Sequence, residues 1–176
     1  MLFHKTELLG AMLIDLELRG DARGVFARSF CSREFSEQGL TSSFVQQNMS
    51  VSADKGTLRG MHRQIAPHSE VKLIRCLRGA ICDVIVDVRP DSPTYLKWQA
   101  FELTEENHRE LYVPEGFLHG FQTLTDNVEV SYLVSAFYAP DAEYGARHDD
   151  QAFGIDWPAP VTVMSDKDKS WPDFSV

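Results

Sequence analysis

Between residues 71 and 137 the chain reads as short apolar runs cut at regular intervals by turn residues. That rhythm limits the possible folds more than any other feature. Residues 71–77, 81–88, 95–103, 110–113, 117–124 and 128–137 are all of strand length. Arg78-Gly79, Arg89-Pro90-Asp91-Ser92-Pro93, residues 104–107 and Thr125-Asp126-Asn127 separate them. Short strands punctuated in this way close as an all-β sandwich or barrel. Helical signal is weak. Residues 32–38 suit one short helix with Ser32 as N-cap and Gly39 beyond its end, and residues 149–153 suit a short turn. The polar tail after Trp157-Pro158 is expected to pack over the barrel or to be partly mobile.

Composition bounds the partners. A chain of 176 residues is expected to form a single domain with a real core. No apolar run approaches the roughly 18 residues of a membrane-spanning helix. The first nine residues include His4, Lys5 and Glu7 and lack a long apolar stretch, which argues against a secretory signal. Cys31, Cys76 and Cys82 are odd in number and lack C-x-x-C spacing, so reduced thiols in a cytoplasm are expected rather than a disulfide framework. A formal net charge of -9 argues against a nucleic-acid surface but leaves room for a local cationic cluster that holds a small anion.

Several residues are candidates for chemistry. Pro114, Gly116 and His119 form a P-x-G-x-x-H run, a turn into a strand that sets Phe117, His119 and Phe121 on one face. Alone, His119 reads as a buried histidine that donates one hydrogen bond. Val128, Val130, Tyr132, Val134 and Ala136 share a face, which points Tyr132 inward; alone it reads as packing. Both faces of the run around Lys72 are mixed, so parity leaves that lysine equally placed inside or in solvent. Arg59 and His62 have opposite parity, and a bulge at Gly60 would bring both to one pocket. Around His62 there is no H-x-H pair, and His68 lies six residues on. A metal-free acid–base site therefore suits the inventory better than a metal centre.

Taken together, these residues resemble the dTDP-4-dehydrorhamnose 3,5-epimerases and their relatives in nucleotide-sugar pathways. The likeness runs through Gly20-Asp21-Ala22-Arg23-Gly24, Phe44-Val45-Gln46-Gln47-Asn48, Leu58-Arg59-Gly60-Met61-His62 and Lys72-Leu73-Ile74-Arg75. It continues through Pro114 to Phe121, Tyr132, Tyr138-Ala139-Pro140, Gly154-Ile155-Asp156-Trp157-Pro158 and Ser165-Asp166-Lys167-Asp168. The resemblance implies a cupin-type jelly-roll barrel with a few short helices, a homodimer, and no metal or other cofactor. It implies a substrate of the nucleotide-diphospho-4-keto-6-deoxy sugar class. His62 would be the base, Asp168 its orienting partner, Lys72 the stabiliser of the C4 enolate and Tyr132 the opposing acid. Arg59, His119, Gln46 and Asn48 would hold substrate, with Arg28, Tyr138, Glu143 and Lys167, and Arg23 would reach the partner's site.

Three positions depart from the family pattern: Arg28 in place of a glutamate, Arg63 in place of a phenylalanine and Val71 in place of a glycine. They leave open the nucleotide (dTDP, CDP or GDP) and whether C3, C5 or both invert. The competing readings are a cupin isomerase that moves the ketone, a non-catalytic sugar-nucleotide-binding cupin, and a metal-dependent cupin oxygenase.

Overall fold

A computed structural model describes residues 1–175. The strands are β1 (Leu2–Lys5), β2 (Met12–Asp15), β3 (Arg19–Asp21), β4 (Gly24–Phe26), β5 (Gln46–Ser52), β6 (Leu58–Gln64) and β7 (Lys72–Arg78). They continue with β8 (Ala80–Asp87), β9 (Trp98–Thr104), β10 (Glu110–Val113), β11 (Phe117–Thr123), β12 (Val128–Val134) and β13 (Glu143–Gly145). The helices are α1 (Ser32–Glu37) and α2 (Asp166–Lys169). One sheet has the order β1-β2-β10-β7-β12-β5, the other β13-β6-β11-β8-β9, and β3–β4 forms a separate ribbon. The named strands pair antiparallel throughout. The expected all-β architecture is therefore present.

The two sheets enclose one apolar layer. Ile74, Cys76, Leu111, Val128 and Val130 enter it from the six-stranded sheet, and Ile81, Ile85, Phe101, Leu103, Phe117 and Phe121 from the five-stranded one. Both sheets are also covered outside. Phe35 of α1, with Phe30 and Phe44, covers Ile14, Leu73 and Tyr112. Phe153, Ile155, Trp157 and Phe174 cover Met61, Val84, Val86 and Leu118. Strands buried on both faces lose clean polar–apolar alternation. The mixed parity around Lys72 follows from this: Ile74 and Cys76 point into the sandwich while Leu73 packs under α1.

Two sequence expectations change. The N-cap of α1 is Cys31, not Ser32, and it makes no side-chain cap bond; Ser32 is already the first helical residue. Arg78-Gly79 is a turn, with Gly79 at φ +73°, but it carries the chain from one sheet to the other, and β7 and β8 do not pair.

The strand β5 inverts the usual polarity. Gln46, Asn48 and Ser50 are its more buried positions, while Met49 and Val51 are 66% and 54% exposed. An inward polar row is what a strand lining a wet cavity requires, and it hides the strand from a search for inward apolar residues.

Glu110 is buried across the ladder from Arg75, its Oε2 has no partner among the described residues, and burial raises its carboxyl to about 8, with Arg75 opposing the shift. A folded value above the unfolded one stabilises the fold fully below about pH 4.5, and this is lost as pH rises through about 8. Each pH unit between those values contributes about 1.4 kcal/mol. In Glu110→Gln that contribution is absent. Thermal melts of the two proteins are expected to coincide near pH 4.5 and to separate by pH 8, with the variant more stable. Melts that stay parallel across that range would remove Glu110 as the cause.

Candidate active site

One end of the sandwich opens into a cavity of about 490 Å³ that adjoins a second of about 340 Å³. His62, Lys72 and Tyr132 line both. They come from opposed walls. On the five-stranded sheet Gly145, His62, His119 and Ile85 are Cα partners in one row. On the six-stranded sheet Asn48, Tyr132 and Ile74 form one row, and Gln46, Val134 and Lys72 the next.

The expected bulge is present. His119 pairs with His62 and Phe121 with Arg59, so β6 carries one more residue than β11 between those pairs. Gly60 has φ +118°, and a Cβ there would stand 2.5 Å from Gly120 Cα. A Cβ at Gly120 would in turn meet Met61 Sδ at 2.6 Å and Arg59 O at 2.8 Å. Two glycines in contact thus permit the extra residue, and Arg59 and His62 line the same cavity.

His62 Nε2 lies 2.6 Å from Asp168 Oδ1. Asp168 is 5% exposed. Burial pushes its carboxyl up, but the hydrogen bond from His62, the imidazole's charge and the Gly60 N–H outweigh that and hold it below the usual range. An ionised Asp168 accepts from Nε2–H, which leaves Nδ1 as the ring nitrogen able to take a proton. Lys72 Nζ is 3.2 Å from Glu70 Oε1 and donates to the His62 carbonyl at 3.4 Å. Tyr132 is raised by burial and by the charge of Glu70, with Arg59 opposing, so its hydroxyl keeps its proton. Arg59 bonds Ser52 Oγ and the Val51 carbonyl and has no carboxylate partner among the described residues.

Gln46, Asn48, Tyr138 and Glu143 line the smaller cavity, and Lys167 the larger. Glu143 Oε2 accepts from Lys167 Nζ at 2.5 Å and from the Tyr138 hydroxyl at 2.8 Å, and Gln46 accepts from the Tyr138 N–H. Arg23 and Arg28 do not reach either cavity within this chain. Arg23 sits on the exposed β3–β4 ribbon, paired with Asp21; Arg28 is paired with Glu34. Arg63 also lines the smaller cavity, with its guanidinium over the Tyr144 ring at 5.3 Å. Among the described residues no group of three or more His, Cys, Asp or Glu stands together as a metal-ligand set.

Two acids escaped the sequence reading. Asp83 is fully buried, 3.0 Å from His119 Nε2, and its Oδ1 has no partner among the described residues. Its signal was available, since a carboxylate in phase with inward Ile81 and Ile85 needs a partner. Glu70 sits in the loop before β7, where no periodicity places it.

The sequence model of a protein family described as dTDP-4-dehydrorhamnose 3,5-epimerase matches residues 5–175. The chain belongs to this epimerase family. It is 44% identical over 175 residues to a dTDP-4-dehydrorhamnose 3,5-epimerase of Sinorhizobium fredii, covering 99% of this chain and 90% of that protein. Its structure is similar to that of a dTDP-4-dehydrorhamnose 3,5-epimerase of Bacillus anthracis solved with TDP and pyrophosphate bound. The TM-score is 0.95 at 42% identity, covering 98% of each chain. It is also similar to ChmJ, a 3'-monoepimerase from Streptomyces bikiniensis in complex with dTDP-quinovose. Here the TM-score is 0.90 at 33% identity, covering 97% of this chain and 86% of that one. The epimerase family thus includes relatives described as inverting two centres and one described as inverting a single centre.

Proposed function

We propose that this chain inverts C3 and C5 of a dTDP-linked 4-keto-6-deoxy sugar through an enolate at C4. One observation carries the reading: a histidine and a tyrosine face a shared cavity from opposite sheets, with a lysine beside them. The ketone acidifies the hydrogens on C3 and C5. His62 Nδ1 removes one of them while Asp168 holds the imidazolium that forms. Lys72 donates to the developing enolate oxygen, where a fixed cation in a shielded site has its largest effect. Tyr132 protonates the carbon from the other face, which inverts the centre. Arg59 and His119 hold the diphosphate and sugar. Gln46, Asn48, Tyr138, Glu143 and Lys167 shape the remainder of the binding surface.

The test is proton NMR of dTDP-4-keto-6-deoxyglucose incubated with the protein in D₂O. Deuterium is expected at C3 and C5. Exchange at neither position, with dTDP-, CDP- and GDP-linked 4-keto sugars alike, would sink the reading. Deuterium at C3 alone would identify a monoepimerase, the second reading that the likeness to ChmJ favours.

We also infer a homodimer. Met49 and Val51 on the edge strand β5, Val45 just before it, and Leu18, Val25 and Phe26 around the β3–β4 ribbon, are exposed apolar residues. An uncovered edge of this kind invites a second copy. The ribbon of one copy would then bring Arg23 and Arg28 toward the other's cavity. Light scattering at micromolar concentration is expected to give twice the chain mass, and Met49→Lys is expected to lower it. A wild-type monomer would end the proposal.

A further inference from the structure

We propose that Trp171 is a positioning residue for the His62–Asp168 couple, held in a slot that Gly145 leaves open. The proposal rests on the reading of His62 as the base. It begins from a weakness in the site. Asp168 is carried by α2, a helix of four residues. So short a helix has no stability of its own. Besides the His62 bond, Asp168 itself has two: Ser165 Oγ accepts from its N–H at 3.1 Å, and its Oδ2 accepts from the Gly60 N–H at 3.3 Å. Neither fixes the far end of the helix.

The chain beyond α2 supplies that fixation. Phe174 N–H donates to the buried carboxylate of Asp150, and the Phe174 ring packs on Phe153 at 5.1 Å between centroids. Residues 170–174 therefore form a strap between α2 and an anchored end. Trp171 is the large residue of that strap, and it lies against the catalytic row. Gly145 is the Cα partner of His62 on the β13–β6 ladder, and a Cβ added to Gly145 would overlap the indole. The indole meets the His62 ring edge-on, at 6.1 Å between centroids and 62° between planes. The Lys167 ammonium, 5.8 Å from the ring centroid, also lies beside the indole and is paired with Glu143 of β13.

One side chain thus touches the base histidine, the glycine opposite it in register and the helix that carries its carboxylate. The indole N–H is buried and has no partner among the described residues. A dry N–H is a cost, so the contacts of the ring must offset it, and the ring rather than the N–H is what this position uses. A rigid aromatic in that slot restricts imidazole rotation and sets the height of α2, which together keep Nε2 on Asp168 and Nδ1 toward the cavity. Displacement of a reacting group by about 1 Å costs on the order of 100-fold in rate.

The test uses the full chain with Trp171→Ala, Trp171→Phe and Gly145→Ala, and Trp157→Phe as a control on the outer face of the five-stranded sheet. Gly145 has no left-handed backbone conformation, and the three atoms nearest an added Cβ all belong to the indole, so alanine there acts first on Trp171. Trp171→Ala and Gly145→Ala are expected to lower kcat about 10- to 100-fold with KM within about twofold. Trp171→Phe is expected to remain within about threefold of the parent, since the ring is retained. Imidazole ¹⁵N spectra should show the His62 Nε2–H signal lost or broadened in the first two variants and kept in the Phe variant and the control. If Trp171→Ala keeps its kcat, or loses it only in step with melting temperature as the control does while the His62 signal stays unchanged, the proposal is overturned. Should the parent protein act on no 4-keto sugar, the functional reading fails instead, and the His62 spectra still decide the role of Trp171.

Discussion

His62→Ala is expected to lower turnover by about 10²- to 10⁴-fold, the span typical of losing a positioned general base. The hydrogens on C3 and C5 are weak acids, and the site offers His62 Nδ1 as the nitrogen free to take them, because Nε2 is held by Asp168 at 2.6 Å. Asp168 contributes through that bond: its ionised carboxylate sets the tautomer and offsets the charge that His62 gains. Asp168→Asn should therefore cost less than His62→Ala but shift which ring nitrogen carries the proton. Deuterium wash-in from solvent measures the step directly. Wash-in at the parent rate in His62→Ala would move the base elsewhere. His119 is the next candidate, since it is the Cα partner of His62 and lines the same cavity. Its Nε2 is likewise held by a buried carboxylate, Asp83, which leaves its Nδ1 free.

Tyr132→Phe is expected to separate two events that the parent protein couples. Proton removal by His62 and enolate stabilisation by Lys72 need no tyrosine, so deuterium should still enter C3 and C5. Inversion should fall by about 10²-fold or more, because the face opposite His62 has lost its acid. The argument rests on position and on charge state. Tyr132 stands on β12 of the six-stranded sheet while His62 stands on β6 of the other, and burial keeps the phenol protonated. A ring enolate held between them can receive a proton from either wall, and only the tyrosine wall inverts the centre. NMR separates exchange with retention from exchange with inversion. Equal loss of both in Tyr132→Phe would make the tyrosine a packing or binding residue.

Much of this was legible before any coordinates. Strand-length runs and turn clusters imply an all-β chain because short antiparallel strands need frequent turns. Gly60 marks the bulge because a residue at φ +118° whose Cβ position is taken by Gly120 has to be glycine. Tyr132 points inward because β12 keeps its alternation on the cavity side. The strand β5 was not legible: its polar residues face in and its apolar residues face out, the reverse of the pattern that marks a buried strand. The helix α2 was not legible either, since four residues show no helical period. Arg23 and Arg28 belong to the family pattern, yet in one chain they are tied to local carboxylates away from the cavity.

The sequence by itself determined the all-β class, the motif order shared with the epimerase family and the residue types available for acid–base chemistry. These follow from local periodicity and residue identity. The tertiary structure alone decided which of those residues meet. Asp168 reaches His62 across a separation of 106 residues, Asp83 reaches His119 across 36, and Trp171 enters the slot beside Gly145. Such contacts depend on how two sheets and a terminal strap are placed in space, and no spacing along the chain encodes that placement. Lys72 shows the difference in a single residue. Parity left it equally inside or outside, and the covering of β7 on both faces, with the cavity at its first residue, placed it inside.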